Sequence, residues 1–142
     1  MISLKDIYWL AGIVDGEGYI GLRKGKYPTI VVKMTDRDIV QRVSDLFHET
    51  HHDVYICNPR LTILGNEALR VYETRITGSR AAAWLMMLYI PLGVRRRSKA
   101  KEVLSIWRDP NIGVNYSRYY YSKAAKESRQ DYWREYTKTL IR

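Results

Sequence analysis

The chain has 142 residues, with 24 Lys and Arg against 15 Asp and Glu, a net charge of +9. That length suits one domain with a real hydrophobic core and is short for two, and the charge points to a polyanionic partner, nucleic acid first. A membrane protein is disfavoured, because the longest apolar run, Ala81 to Ile90, is about half a span; the sole cysteine, Cys57, excludes an internal disulfide and, with no export signal, predicts an intracellular protein.

In chain order, Ser3 and Asp6 have the spacing of a capping box, and Leu4, Ile7, Tyr8, Ala11 and Val14 recur at helical intervals. A helix therefore runs into Leu10-Ala11-Gly12-Ile13-Val14-Asp15-Gly16-Glu17-Gly18. Gly12 and Gly16 lie four apart with Ala11 beside the first, a face with almost no side chain on which another helix can approach closely. Asp15 and Glu17 fall where the helix-end carbonyls already carry partial negative charge. Either Gly16 and Gly18 end the helix in left-handed conformations with both acids solvated, or a divalent cation sits on carboxylate and main-chain oxygens there.

Tyr19 to Arg23 and Thr29 to Met34 alternate in character around the turn formers Lys24-Gly25-Lys26-Tyr27-Pro28, which predicts a hairpin. With Ile20, Leu22, Ile30, Val32 and Met34 in the core, Tyr19, Gly21, Arg23, Thr29, Val31 and Lys33 share the other face. A two-stranded ribbon fits the DNA major groove. Arg23, Thr29 and Lys33 are thus candidate base readers, and Lys24 and Lys26 candidate phosphate contacts; a solvated sheet face is the alternative. Thr35 or Asp36 can cap a second helix with the stripe Ile39, Val40, Val43, Leu46 and Phe47. The following His48, His51, His52 and Cys57 match no standard zinc spacing.

A second strand pair is predicted from Val54 toward Leu64 and from Leu69 to Thr77 around the turn signal Gly65-Asn66, with Arg60, Arg70 and Arg75 as candidate phosphate or guanine contacts. From Ser79 a helix bearing Ala82, Trp84, Leu85, Leu88 and Tyr89 runs to Pro91. Arg95 to Lys101 then carries five positive charges in seven residues, and Ser98 can cap a last helix packing Val103, Leu104 and Trp107. Residues 109–142 are tyrosine-rich, with a helix from Ser122; Trp133, Tyr136 and Leu140 can pack on the domain, or the tail can clamp a nucleic-acid backbone.

The nonapeptide Leu10 to Gly18 resembles the signature of the LAGLIDADG homing endonucleases, with conservative replacements at Ile13, Val14 and Gly16 and with Glu17 at the second acidic position. The resemblance covers residues 1–108 and leaves 109–142 as a C-terminal extension. It implies an α+β fold of order α-β-β-α-β-β-α, with an antiparallel sheet forming half of a DNA-binding saddle. A single signature implies a homodimer whose first helices cross through Tyr8, Ala11, Gly12, Asp15 and Gly16. Glu17, with the Gly16 carbonyl, is then the ligand of Mg²⁺ or another divalent ion such as Mn²⁺, and Asp15 closes the helix end. A basic side chain ahead of the late helix is expected in the active site, with Arg96, Arg97 and Lys99 as candidates and Arg95 on DNA; polar groups are expected near Thr35, although the glutamine usual there is missing. The implied activity is that of an intron-encoded endonuclease: metal-dependent cleavage of double-stranded DNA at a long, nearly palindromic site, leaving short 3′ overhangs. An RNA-binding intron maturase and a non-catalytic sequence-specific DNA-binding protein are the competing classes on this scaffold.

Overall fold

The structure, a computed structural model, describes residues 2–57, 70–107, 130–135 and 138. Its elements are α1 (Leu4–Glu17), β1 (Gly18–Arg23), β2 (Tyr27–Met34), α2 (Arg37–His48), β3 (Tyr55–Cys57), β4 (Val71–Thr77), α3 (Ser79–Leu88) and α4 (Val94–Trp107). The architecture is α+β, in the order the sequence predicts.

The first helix starts on the predicted capping box. The Asp6 N–H donates to Ser3 Oγ at 3.2 Å and the Ser3 N–H donates to Asp6 Oδ2 at 2.9 Å. That backbone bond, then the Ser3 hydroxyl and Arg42, hold the Asp6 carboxyl below the usual carboxylate value. Arg42 also stacks 3.9 Å from the Trp9 ring centroid, tying α1 to α2.

The helix carries two apolar rows and buries only one. Ile7, Leu10, Ala11 and Val14 enter the core, whereas Leu4 and Tyr8 are 66% and 56% exposed and continue into exposed Gly12 and Gly16 at four-residue intervals. Of the predicted helical series, Ile7, Ala11 and Val14 thus face the core, with Ala11 at 1% exposure, while Leu4 and Tyr8 face outward. Neither glycine at the helix end is left-handed: Gly16 stays helical and Gly18 is extended at φ −85°. Gly18 is needed for closeness, since a Cβ there would fall 2.7 Å from the Val14 Cα and carbonyl oxygen, so the helix passes into β1 without a spacer.

β1 and β2 pair antiparallel from Gly18↔Val32 to Arg23↔Tyr27, so β2 begins at Tyr27 and Pro28 lies inside the ladder. The turn narrows to Lys24, Gly25 and Lys26, with Lys24 and Gly25 at φ 53° and 71°. The sheet order is β1-β2-β4-β3, all neighbours antiparallel, with β2 and β4 central. Each of α1 to α4 contacts the sheet. Ile20, Ile30, Val32, Thr74 and Ile76 are buried, while Tyr19, Arg23, Tyr27, Lys33 and Arg75 on the opposite face are exposed. Between sheet and helices lies α3, buried all round from Ala81 to Leu88, with Trp84 edge-on to Phe47 at 5.8 Å. Asn58 to Leu69, including Arg60 and the turn signal Gly65-Asn66, lie outside the described residues.

Of the tail, residues 130–135 are helical; Tyr132 is 2% exposed and packs edge-on to Tyr89 at 4.8 Å, while Trp133 is 42% exposed. The predicted packing residue is thus displaced by one position, and Tyr136 and Leu140 lie outside the described residues. No helix among the described residues is long and apolar enough to cross a membrane.

The histidines gather at the end of α2. His48 stacks on His52 at 4.0 Å and its Nδ1 lies 3.3 Å from Arg80, while His51 faces Asp45 and Asp53 at 3.4 and 3.2 Å. Burial, then the His52 and Arg80 charges, hold the His48 pKa below its ordinary value of 6.5. Below 6.5 the unfolded chain takes up the proton first, so this group's share of stability is full above 6.5 and is lost as pH falls toward the folded pKa. Thermal melts across this range should show the midpoint dropping on acidification, and His48→Gln should flatten that slope.

Candidate active site and nucleic-acid interface

The two acids of the motif meet different surroundings. The Asp15 carboxylate accepts the Gly93 N–H through both oxygens, at 3.0 and 2.9 Å. Gly93 in turn accepts the Arg97 N–H at 2.8 Å, so α4 starts from it and not from Ser98, and the basic run occupies the first two turns of the helix. Positive charge at a helix N-terminus is unfavourable, and the first turn of α4 has no acid of its own; Asp15 supplies one from α1. The electrostatic conflict read from the sequence at Asp15 is therefore relieved by a helix N-terminus.

Arg97 also departs from its expected role. Its guanidinium donates to the carbonyls of Tyr89 and Leu92, each at 3.0 Å, and of Ile90, satisfying the chain end after α3. Its guanidinium is thereby committed to the main chain between α3 and α4. Asp15→Asn and Arg97→Ala should each cost about 1.5–3 kcal/mol, the worth of hydrogen bonds to charged groups. Thermal unfolding is the measurement, with Lys99→Ala, which removes only an exposed pair to Glu102 at 3.3 Å, changing the midpoint little.

The remaining basic side chains stay open. Arg95, Arg96, Ser98 and Lys99 border a hollow of about 460 Å³ together with Tyr19, Ile20 and Glu102, just beyond the motif. Arg96 Nε is buried and has no hydrogen-bond partner among the described residues.

Glu17 is exposed, and its side chain makes no hydrogen bond or ion pair among the described residues. It borders a hollow of about 270 Å³ with Lys33, Met34, Thr35 and Val71. Thr35 thus borders the same hollow as the acid even without the expected glutamine, and so does Lys33, assigned from sequence to base reading. The last turn of α1 contains no basic residue, and its carbonyls, that of Gly16 included, lie where intrahelical donors run out. A free carboxylate beside such oxygens is a hard donor set that fits Mg²⁺, which keeps several waters or phosphate oxygens in its shell. The chain supplies little more: among the described residues no group of three His, Cys, Asp or Glu could hold a metal ion.

On the exposed row of α1, a Cβ at Gly12 or Gly16 would meet nothing within 4 Å. The candidate helix-crossing face is therefore Leu4, Tyr8, Gly12 and Gly16. Ala11 is removed from it by burial, and the Asp15 carboxylate is already engaged by Gly93.

On the open sheet face lie Arg23, Lys33 and Arg75; Lys24 and Lys26 form the hairpin tip and Arg70 is exposed just ahead of β4. Thr29 is a correction: it is 8% exposed and its hydroxyl donates to the Ile76 carbonyl at 3.1 Å beside Thr77 Oγ1, so it locks β2 to β4. Tyr19, which alternation already puts on this face, is 56% exposed, and Tyr27 and Tyr55, which the sequence reading did not place there, join it at 40% and 60%. Tyr19 lies over Gly21, where a Cβ would run into its hydroxyl.

An acid-ended first helix leading into a four-stranded antiparallel sheet, with helices against one face, is the α+β fold found in homing endonucleases. Among solved structures, the chain is similar to the homing endonuclease I-CvuI in complex with its target Sro1.3 in the presence of 2 mM Ca, with a TM-score of 0.50 and 18% identity over 89% of this chain and 92% of that one. I-CvuI in complex with the I-CreI target C1221 in the presence of 2 mM Mg, its DNA not cleaved, gives a TM-score of 0.49 and 20% identity over 76% and 73%. At such identities the likeness is one of fold. No family model matches the chain, and no curated protein sequence does.

Proposed function

We propose that the protein is a LAGLIDADG-type, site-specific endonuclease that hydrolyses both strands of a long, nearly palindromic DNA site as a homodimer. The observation that carries this reading is Glu17, the motif acid left unpaired among the described residues, on the rim of the hollow that also holds Lys33 and Thr35. I-CvuI, similar in fold, is in complex with its DNA target in the presence of Ca, which supports a DNA substrate and a divalent ion here. Glu17 and the Gly16 carbonyl would hold that ion, Mg²⁺ or Mn²⁺, whose chemistry when bound is to acidify water and neutralise charge at the scissile phosphate.

The chain's own groups do the rest. Arg96 and Lys99 offset charge developing on phosphate oxygens. Asp15, by holding Gly93, keeps that basic helix in fixed relation to Glu17. Arg23, Lys33, Arg70 and Arg75 line the duplex, with Lys24, Lys26 and Arg95 on its phosphates. One carboxylate per chain cuts one strand, so two chains meeting through α1 are needed for two cuts. Incubating the protein with a plasmid library of candidate sites should give linear product in Mg²⁺ and none in EDTA. Linear product in EDTA, or binding without cleavage at every site retained, would refute the enzyme.

A further inference from the structure

Glu73 stands in the middle of the basic sheet face. In the ladder it lies opposite Lys33 of β2 and Tyr55 of β3, with Arg75 two residues on along β4. Its side chain is only 12% exposed, against 49% for Arg75, and one of its oxygens accepts Arg75 Nη2 at 2.9 Å. Both border a hollow of about 410 Å³ with Arg23, Tyr55 and Cys57.

A surface that only gripped phosphates would gain from losing this acid, since a carboxylate is repelled by phosphate and, when ionised, only accepts hydrogen bonds. On such a face an acid has two uses: accepting from a base amino group, or fixing a guanidinium in one orientation. The bond to Glu73 takes one of the five guanidinium donors and leaves the others for guanine O6 and N7. The second Glu73 oxygen has no hydrogen bond among the described residues and can accept from a cytosine amino group.

We infer that Glu73 and Arg75 form a base-reading pair, in which Arg75 contacts guanine, not phosphate, and Glu73 is its positioning residue. The inference rests on the proposed DNA-binding function. It is tested by selecting randomised duplexes with the full chain in Ca²⁺ and sequencing the bound pools of wild type, Glu73→Gln and Arg75→Lys. Wild type should enrich guanine at one position per half-site. Both variants should lower that preference about 5- to 150-fold, the range for one bidentate base contact, with other positions unchanged. Glu73→Gln should bind random duplex at least as tightly as wild type, because a negative charge has left the face. Arg75→Lys keeps the positive charge and should keep the salt dependence. Unchanged preference in both variants, or an equal loss of affinity for every sequence, overturns the inference; loss in Arg75→Lys alone overturns the role of Glu73. A wild type that enriches no duplex refutes instead the DNA-binding function beneath it.

Discussion

Glu17→Gln should reduce duplex cleavage by about a thousandfold or more while leaving folding and DNA binding intact. Gln matches Glu in shape, and the side chain makes no hydrogen bond among the described residues that the change could break. Removing a negative charge from a helix C-terminus is neutral or slightly favourable to the fold. Affinity for DNA should hold or rise, since a carboxylate near phosphates repels them. What disappears is the anionic oxygen that would hold a divalent ion, whose bound charge is worth several kcal/mol of transition-state stabilisation, about tenfold in rate for each 1.4 kcal/mol. Single-turnover cleavage in Mg²⁺ at saturating protein isolates that step, with thermal melts and gel shifts in Ca²⁺ as controls. A variant cutting at near wild-type rate would remove Glu17 from the chemistry. Asp15→Asn provides the contrast, because it should lose thermal stability first and activity through the loosened junction between α1 and α4.

What the sequence made legible was local. Ser3 and Asp6 lie within one turn, so their capping box needs no tertiary information. The hairpin faces follow from alternation, and Pro28 misplaced the start of β2, because it precedes the first β2–β4 pair and has a strand on one side only, where a residue without an N–H is tolerated. The errors lie where distant chain decides. Arg96, Arg97 and Lys99 are equivalent in a one-dimensional run; only the start of α4 on Gly93 turns Arg97 into the carbonyls of 89–92 and leaves Arg96 and Lys99 on the open hollow. Ser98 is the better N-cap by propensity, but Asp15, 78 residues away, fixes the helix start instead. Thr29 obeys the alternation and is still covered, because Thr77 sits opposite it in the β2–β4 ladder. On α1, apolar residues surround much of the helix, so periodicity could not say that Ala11 faces the core and Tyr8 the outside. The candidate site was legible in its acids and its basic run; which members were free was not.

Gly12→Leu should leave the monomer as stable as wild type, or more so, and should abolish the dimer and with it double-strand cleavage. Gly12 lies inside α1 where a Cβ meets no atom within 4 Å, so Leu points into open space, and it recovers most of the about 0.8–1 kcal/mol of helix propensity that separates Gly from Ala. Against a second copy the same side chain is an obstruction. Helices bearing ordinary side chains pack about 8–10 Å apart, whereas a Gly12 and Gly16 face invites closer approach, which a leucine prevents. Overpacking a close contact costs about 1–3 kcal/mol, and a two-fold axis repeats the cost, so association should weaken by about 2–6 kcal/mol, roughly 30-fold to more than 10⁴-fold. Sedimentation velocity with and without target duplex reads the mass directly, while thermal melts of the monomer show that the fold survives. Such a variant would still offer Glu17 and the sheet face to half a site and would bind it weakly. Should Gly12→Leu remain dimeric at wild-type affinity, the helix row through Tyr8, Gly12 and Gly16 is not where two chains meet, and two Glu17 carboxylates would have no route to adjacent scissile phosphates.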